Sequence, residues 1–301
     1  MIRFDQISRC LGSIKESNND IEGIVKWDAD EIFNKTGIKT RYIALENETS
    51  EYLASKAAES LDKNLLKECD LIISVTNTGS YDFPPPAYFI NSIVNTNNAK
   101  CIGINSGCTG FVDAIEIVYA FFKSSLYKRA LIINTDTYSK FLYNNRSTRT
   151  LFSDGATATI VSKDVDHGFK IKKTIASIQK NSENVLSRSS ANNINEIQMN
   201  GPKVLQFVIS SVLPDLKKIF PKRADCIFLP HQAGKLVIDL VEKKLPENIH
   251  LKKNYKNYGN LVSASIPNLM IENLEEINFC KHLLISGFGV GLSHNSILLY
   301  K

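Results

Sequence analysis

Along the 301-residue chain, apolar positions fall into short β-rich runs, each closed by small polar residues and separated from the next by stretches of helical spacing. The first half holds DLIISVTNTGS from Asp70, CIGI from Cys101, RALIINTDT from Arg129 and SDGATATIVSKD from Ser153. Apolar runs without alternation mark strands buried on both faces, as in α/β sheets. Between them, Thr49 to Lys67 reads as one helix. FPPPAYFINSIV places three prolines where a helix should begin, since proline fits only its first turn. Ahead of these, a strand or two lead to a short helix closed by Gly37.

From Lys170 the order starts again. IKKTIASI reads as a strand, Gln179 to Glu196 as a polar excursion, PKVLQFVISSVLPDLKKIF as a helix and DCIFLPHQAG as a buried strand. A helix at Lys235 to Lys244 follows, then a small-residue turn opening a helix in NYGNLVSASIPNLMIENL, then the strands of KHLLISGFGVG and LSHNSILLY. Ile227 aligns with Ile72, and the spacing from Cys108 to Leu131 equals that from Asn260 to Leu283. The repetition predicts a duplicated α/β unit, residues 1–165 and 166–301, related by a pseudo-two-fold axis. It also predicts that Cys108 and Asn260 stand at equivalent helix starts, which the axis brings together.

Composition narrows the class. With 43% hydrophobic and 22% charged residues, the chain is an ordinary soluble protein. Its net charge of +5 is spread over scattered lysines and arginines, without the dense patch of a nucleic-acid binder. The bias suits an acidic partner such as a phosphorylated cofactor, and equally a solvated surface. The cysteines at 10, 69, 101, 108, 226 and 280 have no zinc or disulfide spacing. The start, MIRFDQISRCLG, lacks an apolar signal core, and no stretch has transmembrane length. These features predict a cytoplasmic protein with no metal, no membrane and no nucleic-acid partner.

Three residues carry candidate chemistry. Cys108, in SGCTG, opens a helix, where free N–H groups and a partial positive charge favour thiolate; a core cysteine is the plain alternative. His231, in LPHQAG, directly follows a strand, and ligands in open α/β sheets bind at such strand ends; it could also be an ordinary loop histidine. Asn260, in YGNLVSAS, is either a helix cap or a site residue. Gly287 to Gly291 lacks the GxGxxG spacing and a following helix, so it reads as a turn or as a loop offering N–H groups to an oxyanion. His167, His250, His282 and His294 read as having no cysteine or acidic cluster around them.

Together, NSGCTGFVDAI, LPHQAG, YGNLVSASIP and GFGVGLSHNSILL resemble the Cys-His-Asn condensing enzymes of the thiolase superfamily. The resemblance is closest to β-ketoacyl-acyl-carrier-protein synthase III, with support from TGIKTRYIA, LFSDGATATIV and YKRALIINTDTYSK, and runs from about Thr36 to the C-terminus. It implies a five-layered αβαβα fold and a homodimer in which Phe83 reaches toward the partner's acyl pocket. It also implies an acyl-cysteine at Cys108, oxyanion N–H groups at Cys108 and Val290, and condensation with a malonyl thioester held by His231 and Asn260. No bound cofactor is needed; acyl-CoA or acyl-carrier-protein thioesters are the substrates. Arg146 matches a family arginine near the CoA entrance. The family's tryptophan and arginine ahead of TGI are replaced by Glu31 to Lys35, leaving Lys35 as a weaker phosphate contact. HQAN becomes HQAG, Val290 interrupts a glycine loop, and His294 replaces an aromatic residue. Two alternatives stay open: acyl transfer to an oxygen or nitrogen acceptor, and a non-catalytic partner subunit. So do the acyl chain, its carrier and the pathway.

Overall fold

Two five-stranded sheets organise the computed structural model, which describes residues 1–96, 98–142, 146–189 and 195–301, with the backbone alone at 146 and 147. The first comprises β1 (Ile2–Leu11), β2 (Leu71–Val75), β3 (Lys100–Ile104), β4 (Arg129–Asp136) and β5 (Gly155–Lys163), in the order β1-β5-β4-β2-β3. The second comprises β6 (Lys170–Ile178), β7 (Cys226–Pro230), β8 (Ile249–Leu251), β9 (His282–Gly289) and β10 (Ser293–Tyr300), in the order β6-β10-β9-β7-β8. The two orders are the same. In each sheet the strand beginning the motif, β2 or β7, pairs parallel with both neighbours, and the remaining pairs are antiparallel. Even the register repeats: Ile72 stands against Leu131, and Ile227 against Leu283.

Burial explains which strands read clearly. Every residue of β2 and of β7 is buried, so neither needs a polar face. β6 lies at the edge of its sheet and is largely exposed; its lysines discourage pairing with another edge.

Helices complete five layers. α1 (Ala29–Thr36) is opened by a capping box of Asp28 and Glu31 and closed by Gly37 at φ 70°. α2 (Ser50–Glu59) and α3 (Pro86–Val94) cover the outer face of the first sheet, with Leu53, Ala57 and Ile90 packed on Ile72 and Leu131. α4 (Gly110–Lys123), and further along the chain α8 (Ser265–Phe279), lie between the sheets, where Phe111, Ile115, Leu269 and Met270 meet Ile73, Ile132, Leu229 and Ile285. The second sheet's outer face carries α5 (Gly201–Phe207), α6 (Leu213–Ile219) and α7 (Lys235–Glu242). This is a duplicated αβαβα arrangement.

Some readings from sequence change. Thr49 to Lys67 is not one helix: Asp62 takes the N–H groups of Asn64 and Leu65, capping a separate turn at Lys63–Lys67. The run from 202 to 220 widens into a π-helical turn at Val208–Val212 between α5 and α6, because Pro214 brings no N–H to the ladder. The two central helices are each entered through a 3₁₀ turn, Gly107–Thr109 and Val262–Ala264, whose first residues are left-handed at φ 54° and 51°. Superimposing those turns pairs Cys108 with Ser263, so Asn260 is not the equivalent of Cys108. Asn260 precedes its turn because its backbone is drawn into strand-like pairing, donating to Leu151 O at 2.9 Å and accepting from Ser153 N at 2.9 Å.

Candidate active site

His231 leaves the carboxyl end of β7, and its N–H donates to Ser286 O of β9 at 2.8 Å. Gln232 fixes the loop: its Nε2 donates to Pro230 O, and its Oε1 accepts the N–H groups of Asn254 and Tyr255. The imidazole is 2% exposed and meets the Phe288 ring edge-on at 5.6 Å. Its Nδ1 has no hydrogen-bond partner among the described residues. Burial, with no compensating charge, pulls the imidazole down to about 3, so His231 is neutral at physiological pH.

Cys108 is 3% exposed, in a turn that needs glycine around it. A Cβ on Gly107 would lie 2.6 Å from Asn77 Oδ1 and 2.8 Å from Val290 Cγ2; one on Gly287 would lie 2.5 Å from Cys108 O. The backbone N–H groups of Val290 and of Cys108 itself lie close enough to the sulfur to favour its thiolate form. Burial, reinforced by the nearby Asp136 carboxylate, nevertheless pushes the thiol up to about 12. The expectation that the helix start makes a resting thiolate is thereby corrected. The turn is sealed from water, and desolvation outweighs the two N–H groups.

Asn260 completes the group. Its Oδ1 accepts Val262 N at 2.9 Å and Ser265 Oγ at 3.4 Å, leaving the amide NH₂ as its free polar group toward the cavity. The residues at the cap positions of the turn and of the helix, Leu261 and Ala264, make no side-chain cap bond; Asn260 instead takes the N–H of Val262, which opens the turn. Cys108, His231 and Asn260 line one cavity of about 410 Å³, together with Phe288 and Gly289. Its walls are apolar, from Leu151, Phe152, Leu186, Met199, Leu205 and Val237, and the exposed Lys35 and Leu236 stand at its mouth.

Lys35 therefore lies where the sequence suggested. Trp27 was missed: the chain's one tryptophan lines the cavity from a loop, with the Lys35 ammonium 5.0 Å over its ring. Its being the only indole, shortly before Lys35, was the available signal. Phe83 is 83% exposed and outside its own chain's cavity. Arg146 opens the short helix Arg146–Arg149, and its side chain lies outside the described residues. Three histidines read as lacking acidic neighbours do have them. His294 Nδ1 is 3.6 Å from Asp215 and its Nε2 2.6 Å from Ser296 Oγ, His250 is 3.4 Å from Asp225, and His167 groups with Asp164 and Asp166. For His294 and His250 the neighbour comes from a distant part of the chain; for His167 a turn folds the adjacent carboxylates inward.

The closeness of β9 to the sulfur yields a prediction. A Cβ on Gly289 would lie 2.9 Å from Cys108 Sγ. Gly289→Ala should slow acylation of Cys108 by on the order of 10²-fold without changing the circular dichroism spectrum, as timed intact-mass spectra would show.

A duplicated αβαβα fold that gathers cysteine, histidine and asparagine in one cavity is that of a thiolase-superfamily acyltransferase. Residues 102–178 match the family model for 3-oxoacyl-[acyl-carrier-protein] synthase III, and residues 223–301 match the model of its C-terminal part. The β-ketoacyl-[acyl-carrier-protein] synthase III of Clostridium acetobutylicum is 31% identical over 308 residues, covering 94% of this chain and 93% of that protein. That of Clostridium perfringens is 32% identical over 304 residues, covering 94% of each. The crystal structure of the Aquifex aeolicus synthase III matches with a TM-score of 0.90 at 28% identity, over 100% of both chains. The chain belongs to the 3-oxoacyl-[acyl-carrier-protein] synthase III family of condensing enzymes. Among the described residues no helix is long and apolar enough to cross a membrane.

Proposed function

We propose that Cys108 accepts an acyl group from a CoA or carrier-protein thioester and that the acyl-enzyme is condensed with a malonyl thioester to a β-ketoacyl product. The observation that carries this reading is the convergence of Cys108, His231 and Asn260 on one apolar cavity. The thiol attacks the thioester carbonyl, and its proton passes to His231, the one imidazole among the described residues lining the cavity. The N–H groups of Cys108 and Val290, both close to the sulfur, take up the oxyanion. Collapse expels the carrier thiolate, which recovers the proton from His231.

The malonyl thioester then enters. His231, again neutral, and the Asn260 NH₂ donate to its thioester carbonyl as carbon dioxide leaves, and the resulting enolate carbon attacks the acyl-cysteine. The carbon–carbon bond forms as the carbon–sulfur bond to Cys108 breaks, and the released thiolate takes a proton from solvent to restore the resting thiol. Kept neutral by burial, the imidazole can donate through one ring nitrogen to the malonyl thioester carbonyl, the role that condensation asks of it. Lys35 and Trp27 would meet the carrier's phosphate end, with Arg146 beside the entrance. Exposed Tyr81, Phe83 and Tyr88 suit an isologous homodimer in which Phe83 closes the partner's acyl pocket. The reading needs no bound cofactor and places the enzyme in the cytoplasm. It is tested by carbon dioxide release from malonyl-CoA or a malonyl carrier protein: acylation of Cys108 without any release would sink condensation.

The buried imidazoles also set a pH dependence of stability. His231 and His294 are held at about 3 and about 4, whereas an unfolded histidine titrates near 6.5. As pH falls below 6.5, the unfolded chain binds protons that the native state refuses, so stability is full above that pH and lost below it. Asp136, pushed up to about 6, binds a native proton and partly offsets this. Urea titrations from pH 7 to pH 5 should lose about 2 kcal/mol of stability; a flat profile would contradict the burial of the two rings.

A further inference from the structure

We propose that Asp136 is a positioning residue for the decarboxylation step, anchoring the turn that presents Asn260 and tying that turn to the cysteine loop. The proposal rests on the reading that Asn260 acts on the malonyl thioester.

Asp136 ends β4, is fully buried, and has no lysine or arginine partner among the described residues. Packing alone gives no reason for a carboxylate here, since a buried charge without a cation is costly unless donors surround it. Its two oxygens serve two parts of the site. Oδ1 accepts Asn77 N at 2.8 Å, with the hydroxyls of Thr78 at 3.4 Å and Thr76 at 3.5 Å. Asn77 in turn accepts the Tyr138 hydroxyl at 3.1 Å and backs Gly107, the residue before Cys108. Oδ2 accepts Ser263 Oγ at 2.6 Å and Ser263 N at 3.2 Å.

Ser263 is the residue that stands where the first half has Cys108. It follows Val262, whose φ of 51° is one that a β-branched side chain adopts only when its surroundings hold it there. In that conformation Val262 N–H donates to Asn260 Oδ1, turning the amide oxygen inward and leaving the NH₂ for the cavity. Asp136 thus holds Ser263, Ser263 holds the left-handed turn, and the turn orients Asn260. Asp136 touches none of the reacting atoms.

Its charge changes within a convenient range, since burial pushes Asp136 up to about 6. Below that pH a protonated oxygen can no longer accept from all these donors. The other titratable groups facing it, the Cys108 thiol and the Tyr138 phenol, are both pushed upward by burial and stay protonated through that range.

The experiment compares the full-length wild type with Ser263→Ala and Asp136→Asn in two assays: acylation of Cys108 by intact mass, and carbon dioxide release from malonyl-CoA or a malonyl carrier protein. Both variants should lose decarboxylation by about 10-fold or more relative to acylation. Asp136→Asn should also lose an acid limb near pH 6 that the wild type shows in decarboxylation more steeply than in acylation. If the two rates fall in proportion, if neither falls, or if the limb persists in Asp136→Asn, the proposal is overturned. Should Asp136→Asn not fold, the rate ratio of Ser263→Ala, taken with its melting temperature, decides the matter. A wild type that forms no adduct or releases no carbon dioxide would instead remove the underlying reading, and the positioning role with it.

Discussion

Replacing Cys108 with serine is expected to slow acyl loading by at least about 10³-fold, the scale of losing the nucleophile from an acyl-transfer site. The hydroxyl would occupy the same turn, with the N–H groups of Val290 and residue 108 still in place. An alcohol, however, gives up its proton far less readily than a thiol, and the sealed turn offers no strong base. Intact-mass spectra after incubation with acyl-CoA measure the effect directly. Cys10, Cys69, Cys101, Cys226 and Cys280 remain free in the variant, so peptide mapping would expose any adventitious acylation. Wild-type loading of Cys108→Ser would show that the sulfur is not the acyl carrier.

The second large effect falls on the other half of the reaction. His231→Ala and Asn260→Ala should each lower carbon dioxide release from the malonyl thioester by about 10²- to 10³-fold, near 3 kcal/mol for one fixed donor to a developing oxyanion. Asn260→Ala should leave acylation within about 10-fold of wild type, because that step draws on the N–H groups of Cys108 and Val290. His231→Ala should slow both steps, since the imidazole carries the thiol proton in the first and donates in the second. The double variant should lose less than the product of the single effects, as donors sharing one oxygen act as a unit. If acylation fell as far as decarboxylation in Asn260→Ala, the assignment of the asparagine to the second step would fail.

How much of this could be read from the residues depended on whether a feature was local. The buried strands announced themselves, because β2 and β7 have no exposed face to interrupt their apolar runs. The pairing of Ile72 with Leu131 and of Ile227 with Leu283 follows the spacing of the repeat. Cys108, His231 and Asn260 were found because small residues and strand ends flank them in sequence. The pairing of Cys108 with Ser263 was hidden because it depends on a left-handed Val262, and valine gives no hint of that conformation. The charge state of the thiol was hidden too, since desolvation arises from elements far along the chain. Trp27 reaches the cavity from a loop without periodicity, and Asp136 is in sequence only one of several polar residues that close the strands.

The glycines packed against the cysteine turn make the two ends of the cavity very unequal in what they will accept during laboratory evolution. Around the cysteine turn, Gly107, Gly287 and Gly289 each leave no room for even a methyl group, and two of the three meet backbone or the sulfur itself. Variation there would be lethal to function almost without exception. At the rim, Lys35 and the 60% exposed Leu236 meet solvent, so a library can be broad without disturbing the sulfur. Selection for a new thioester donor should therefore draw its winners from the rim, and a change of donor should be reachable without any loss of the condensation chemistry below it.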